Sequence, residues 1–116
     1  GFDIVEMAKA AGATFVARTT TYHVQQMADI IREAVVHEGF SVVEIMSQCP
    51  TYFGRKNKQG SAVDMMKQMK AMTTPIGSKA KQENPELIER GIFVQLDKPE
   101  YCEEYDRIIE RARGGK

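Results

Sequence analysis

Little in this sequence points toward a membrane, a nucleic acid or an oxidising compartment. Cysteine is scarce: Cys49 and Cys102 are the only two. That is too few for a disulfide framework, so a reducing, cytoplasmic setting is expected. Neither charge is in excess, with sixteen Lys and Arg against sixteen Asp and Glu. A neutral chain has no field to draw nucleic acid or an anionic membrane. No apolar run approaches the roughly 18–20 residues of a bilayer span, and no signal peptide is recognisable. Long polar tracts are missing too, and an apolar fraction of 42% argues against disorder. There is no glycine-rich phosphate loop, Gly-x-Ser-x-Gly, His-Glu-x-x-His or Cys-x-x-Cys. What is left is an α/β chain of 116 residues, one domain at most. It opens Gly1-Phe2-Asp3-Ile4 without an initiator Met and enters a helix almost at once. That reads as a cut inside a larger protein, whose core the chain is expected to share.

Periodicity orders the chain. Asp3 to Ala11 reads as a helix capped by Asp3 and closed by Gly12. Thr14 to Arg18 is a short run of β-formers and predicts a buried strand. Tyr22 to Glu38 is the strongest helix, with Val24, Met27, Ala28, Ile31 and Val35 as its apolar stripe. Phe40 to Met46 is nearly continuous in apolar residues, the pattern of a parallel strand covered on both faces. Strand, helix and strand with short joints make a parallel-sheet βαβ unit. Residues 48–60 form a long loop. Ser61 with Asp64 resembles a capping box that opens a helix carrying Ala62, Met65, Met66 and Met69. Residues 73–89 read as irregular with a helical turn near 85–90. Ile92 to Leu96 is a third strand. Pro99 to Ala112 closes the chain as a helix with Tyr101, Tyr105, Ile108 and Ile109 facing inward. The expected organisation is a single partial domain: a βαβ core over 1–47, a Cys-Pro-Thr loop over 48–60 and a helix/strand/helix extension over 61–116. The excess of positive charge lies in the middle of the chain, after residue 54.

In an open parallel sheet, ligands gather beyond the carboxyl ends of the strands. Two stretches fall there. Thr19-Thr20-Thr21-Tyr22-His23 combines hydroxyls with the free amides of a helix start, which suit an anion. The commoner use of threonine there is as a helix cap, with His23 half-exposed in the first turn. The second stretch is Ser47-Gln48-Cys49-Pro50-Thr51-Tyr52-Phe53-Gly54-Arg55. A thiolate is a soft donor for iron–sulfur clusters or zinc, yet one cysteine holds neither. Spacing alone therefore favours Cys49 as a small buried hydrophobe. The methionine cluster reads as core packing or a subunit interface. The run Arg55-Lys56-Asn57-Lys58 reads as a solvated loop or as a docking patch for an acidic protein.

Taken together, Phe2-Asp3 before an Ala-rich helix, Gly12-Ala13-Thr14-Phe15-Val16-Ala17-Arg18, Gln48-Cys49-Pro50-Thr51-Tyr52-Phe53-Gly54-Arg55 and Gly91-Ile92-Phe93-Val94 closely resemble one family. It is the C-terminal part of the β subunit of 2-oxoacid:ferredoxin oxidoreductases, and the likeness covers essentially the whole chain. The form after Cys49-Pro50 is most similar to the 2-oxoglutarate-using branch. The resemblance implies the C-terminal half of a thiamine diphosphate-binding fold. It implies an enzyme that oxidatively decarboxylates a 2-oxo acid to acyl-CoA and CO2. The intact β subunit would hold thiamine diphosphate, Mg2+ and a [4Fe–4S] cluster, with electrons passing singly to ferredoxin. An α subunit, with further small subunits in some members, would complete the site, and coenzyme A would accept the acyl group. Cys49 matches the family's fourth cluster ligand, which reverses the reading from spacing. His23 and Thr51 are placed by position at the thiamine edge.

The family's Gly-Asp-Gly…Asn element and its N-terminal Cys-x-x-Cys are not in this sequence. By itself the chain is therefore expected to bind neither cofactor completely, to show no turnover and to self-associate. The rivals are a stand-alone α/β module for a phosphorylated ligand and a non-catalytic subunit-interaction module built on the methionine helix.

Overall fold

The computed structural model describes residues 1–114. Helix α1, Ile4–Ala10, starts where expected: the Asp3 carboxylate accepts from the amides of Val5 and Glu6. Strand β1, Phe15–Thr20, helix α2, Val24–Val36, and strand β2, Ser41–Met46, follow in turn. β1 and β2 pair in parallel from Phe15–Ser41 to Thr20–Met46, as the patterning requires of a βαβ unit. Gly39 closes the return from α2 to β2 at φ +125°. A Cβ there would lie 2.3 Å from the Thr14 hydroxyl, so this turn demands glycine.

The sheet has the order β2-β1-β4-β3 and is mixed. Strand β4, Ile88–Gln95, runs antiparallel to β1, and β3, Thr73–Pro75, runs parallel to β4. Central β1 is covered on both faces. Val16 packs with Val5, Ala8 and Ala13 on the α1 side, and Phe15 and Ala17 pack with Ile30 on the α2 side. Arg18 then fastens three elements: its Nη2 donates to Asp3 Oδ1 at 2.6 Å and its Nε to Glu44 Oε2 at 2.5 Å.

Several expectations are corrected. β2 is an edge strand with half-exposed residues rather than a strand covered on both faces. The stripe read on α2 does not point into the core: Ile30 is buried and Ala34 packs beside it. Val24, Ile31 and Val35 are 61%, 39% and 78% exposed. The helix rests on a sheet that ends at β2, so only part of its apolar surface meets a partner. Residues 73–89 are not irregular. They hold β3 and a short helix α4, Lys79–Glu83, capped by Ser78, while the helical turn expected near 85–90 is absent: residues 84–87 are a loop and β4 already begins at Ile88. Three residues are too few to show a strand's period, and Ser78 rather than Pro85 sets the helix start. Helix α5, Tyr101–Gly114, has no buried residue, and Tyr101, Tyr105 and Ile108 are more than half exposed rather than inward. Helix α3, Ala62–Ala71, keeps its reading: Ser61 and Asp64 form the full capping box and Met65 and Met69 are buried. No helix among the described residues is long and apolar enough to cross a membrane.

Three outcomes follow. Arg18→Ala leaves the Asp3 and Glu44 carboxylates without their shared counter-ion and should lower stability by about 1–3 kcal/mol, between a surface and a buried pair, measured by urea unfolding. Burial alone would raise the Asp3 carboxyl, but the hydrogen bond and charge of Arg18 hold it below its usual value. A depressed carboxyl stabilises the fold above its ordinary pKa, so this contribution should be lost as pH falls through and below about 4. The exposed α2 stripe and the open β2 edge should drive self-association. Sedimentation should show a concentration-dependent mass that Val35→Glu reduces.

Candidate functional site

β2 ends at Met46, and the chain leaves the sheet through Ser47, Gln48 and Cys49 into a wide helical turn, Pro50–Gly54. The Gly54 amide reaches back five residues to the Cys49 carbonyl at 2.9 Å. Proline at the first position of this turn has no N–H to leave unsatisfied. The amides that follow it are free to face the cysteine sulfur. The turn seats on α3 through Gly54, whose absent Cβ would lie 2.5 Å from Met65 Sδ.

The structure overturns the reading of Cys49 as a buried hydrophobe: its side chain is exposed. Its thiol is held below the usual range by the backbone amides of Phe53 and Tyr52, and by the Thr51 hydroxyl, 4.0 Å from the sulfur. These donors favour the thiolate, the form that ligates metal. Donors of this kind also surround the sulfurs of iron–sulfur sites, so Cys49 fits the role of a cluster ligand. Among the described residues no three His, Cys, Asp or Glu side chains converge. A cluster on Cys49 would therefore draw its other ligands from elsewhere. Cys102 is also exposed, but Glu100 pushes its thiol up.

Beside Cys49 lies a cavity of about 560 Å³, walled by Met46, Phe53, Met65, Met69 and Met72 with Gln48, Gln59 and Gln68 at its polar positions. The methionine cluster is thus partly core and partly cavity wall. The Thr21 hydroxyl donates to Gln48 Oε1 at 3.0 Å and lies 3.7 Å from Met69 Sδ, which ties the end of β1 to the residue before Cys49.

His23 and Thr51 are not brought together on this cavity. Thr51 serves the Cys49 sulfur. His23 shares a hydrogen bond through Nδ1 with the Thr20 hydroxyl at 2.7 Å. No threonine caps α2: His23 occupies the cap position itself and makes no side-chain cap. Burial, then Arg90 and Lys70, lower its basicity and favour the neutral ring at pH 7. Sequence reasoning placed Thr21 in a candidate stretch but missed Lys70 and Arg90. Lys70 lies on α3 and Arg90 on β4, and no local pattern links them to His23.

Comparison with known proteins fits this geometry. The family model described as thiamine pyrophosphate enzyme, C-terminal TPP binding domain, matches residues 1–45. The chain is 43% identical to the 2-oxoglutarate synthase subunit KorB of Methanothermobacter marburgensis, over 97% of this chain and 41% of that protein. It is 50% identical, over 41% of this chain and 16% of that protein, to the β subunit of 2-oxoacid:ferredoxin oxidoreductase 2 from Aeropyrum pernix. In fold it is similar to the 2-oxoglutarate:ferredoxin oxidoreductase from Magnetococcus marinus solved with 2-oxoglutarate, coenzyme A and succinyl-CoA. The TM-score is 0.75 at 22% identity, covering 97% of this chain and 40% of that one. The chain spans about two-fifths of the length of the KorB relative.

The two thiols should differ in reactivity. Iodoacetamide at pH 7 should modify Cys49 several-fold faster than Cys102, and Thr51→Val should slow Cys49 by about two-fold or more, read by peptide mass spectrometry. Equal rates would contradict the donor-lined turn.

Proposed function

Given that the chain belongs to the β-subunit family of the 2-oxoacid:ferredoxin oxidoreductases, we propose that it supplies the Cys49 thiolate to a [4Fe–4S] cluster in such an enzyme. The reaction is the oxidative decarboxylation of a 2-oxo acid, 2-oxoglutarate foremost, to its acyl-CoA and CO2, with electrons delivered to ferredoxin. One observation carries this: an exposed cysteine, with its thiolate favoured by amides and a hydroxyl, at the carboxyl end of a parallel βαβ unit. The substrate follows from the names of the relatives, 2-oxoglutarate synthase subunits, and from the ligands of the Magnetococcus enzyme.

Within this reading residues 1–47 act as the βαβ core of the thiamine half-fold, 48–60 as the Cys-Pro-Thr loop and 61–116 as the helix/strand/helix extension, whose helix α3 backs the loop. Thiamine diphosphate with Mg2+ supplies the carbon nucleophile for decarboxylation, and the cluster supplies a one-electron relay. This chain's residues do the rest. The Phe53 and Tyr52 amides and the Thr51 hydroxyl aim at the sulfur and stabilise its negative charge. Pro50 fixes the angle at which Cys49 leaves β2. His23, neutral and anchored by Thr20, stands at the thiamine edge as a hydrogen-bonding group. The methionine side chains of the cavity present an apolar wall to the inner side of the turn. An α subunit completes the site, coenzyme A enters as acyl acceptor, ferredoxin docks near the exposed Arg55, Lys56 and Lys58, and the assembly works in the cytoplasm.

The experiment is anaerobic reconstitution of this chain with iron and sulfide, followed by its visible spectrum and iron content. One thiolate in a favourable turn should give, at most, weak and sub-stoichiometric iron. A stable brown species with about four irons per chain would mean the chain holds a whole cluster unaided and would contradict the assignment of a single ligand.

A further inference from the structure

Three basic side chains from three elements meet at the carboxyl end of β1. Arg90 on β4 donates from Nη1 to Gln26 Oε1 at 2.7 Å. His23 stands three residues before Gln26, on the same flank of α2. Lys70, at the end of α3, holds its ammonium 5.5 Å from the centroid of the Tyr22 ring, and that ring meets the His23 ring edge-on at 5.1 Å. No acid answers them. Neither Arg90 nor Lys70 takes part in an ion pair among the described residues, and the first turn of α2 carries no acid and no side-chain cap.

Two buried donors nearby are also unanswered. Arg90 Nε is buried without an acceptor. Thr19 is fully buried and its hydroxyl has no partner. Phe15 and Ala17 pack against Ile30 of α2, so alternation along β1 turns Thr19 toward α2 as well. Like charges that converge without a counter-ion repel, and buried donors without acceptors are costly. Both are relieved by an anion.

We propose that His23, Lys70 and Arg90 form a binding site for a doubly charged oxyanion, a phosphate group. Two permanent cations match a charge near −2, which a single carboxylate does not supply. The Nδ1 of His23 is engaged by Thr20, which leaves Nε2 to the ligand. Burial first, and then the charges of Arg90 and Lys70, lower the basicity of His23; a bound anion offsets the part that comes from the two charges. The site is separate from the Cys49 turn and does not depend on the cluster assignment.

The test follows the His23 imidazole proton resonance of the full chain by NMR while inorganic phosphate is added at constant ionic strength, with chloride as the control and succinate as a dicarboxylate comparator. The expected result is a saturable shift with phosphate and an upward move of the His23 titration midpoint. Lys70→Gln, an exposed substitution that leaves the fold intact, and Arg90→Gln should each weaken phosphate binding at least five-fold. The proposal is overturned by a shift that does not saturate, by wild-type affinity in Lys70→Gln, or by succinate binding more tightly than phosphate.

Discussion

The parallel pairing of β1 with β2 is the constraint from which the rest of the molecule follows. It sets both strands to end at the same edge, so the two segments that leave them, Thr21 to His23 and Ser47 to Cys49, emerge side by side. The bond from Thr21 to Gln48 joins the two exits. Arg18 reinforces the pairing in the middle of the ladder, where its strand partner is Glu44 and its second carboxylate is the cap of α1. A one-residue slip would turn Arg18 away from both acids and Phe15 away from α2. Position at the edge is thus inherited from register.

What the edge does with that position is an electrostatic matter. The turn after Cys49 concentrates amide dipoles on one sulfur, and the proline at its start has no N–H to leave unsatisfied. On the far side of Thr21, Lys70 and Arg90 concentrate positive charge around a neutral histidine. The two neighbourhoods have opposite chemistry: one stabilises a soft anion that the protein itself provides, the other calls for a hard anion that it does not. α3 serves both, with Met65 and Met69 facing the cysteine turn and Lys70 facing the histidine.

Much of this was legible in the residues, and the reasons for success and failure are physical. Asp3, Gly12, and the Ser61–Asp64 box act within a turn of the backbone, so local sequence suffices to read them. The β1–α2–β2 unit is legible because its strands are apolar and its joints short. Val24, Ile31 and Val35 misled because periodicity reports that a helix has an apolar face but not whether this chain covers it. Cys49 misled for a related reason: type statistics favour a buried thiol, while the free amides after Pro50 draw it outward. The role proposed for it rests on the resemblance carried by the Gln48 to Arg55 stretch. β3 and the convergence of Lys70 and Arg90 on His23 were hidden, because both depend on contacts between segments far apart in the chain.

The most direct measurement is on the oxidoreductase assembled with its other subunits and carrying Cys49→Ser in this chain. Iron content and the electron paramagnetic resonance of the reduced enzyme are compared with the unsubstituted complex. If Cys49 is one of the four sulfurs of a [4Fe–4S] cluster, the complex assembles, the cluster signal is lost or converted to that of a three-iron species, and electron delivery to ferredoxin falls by at least ten-fold. An unchanged signal with unchanged electron delivery would contradict the account.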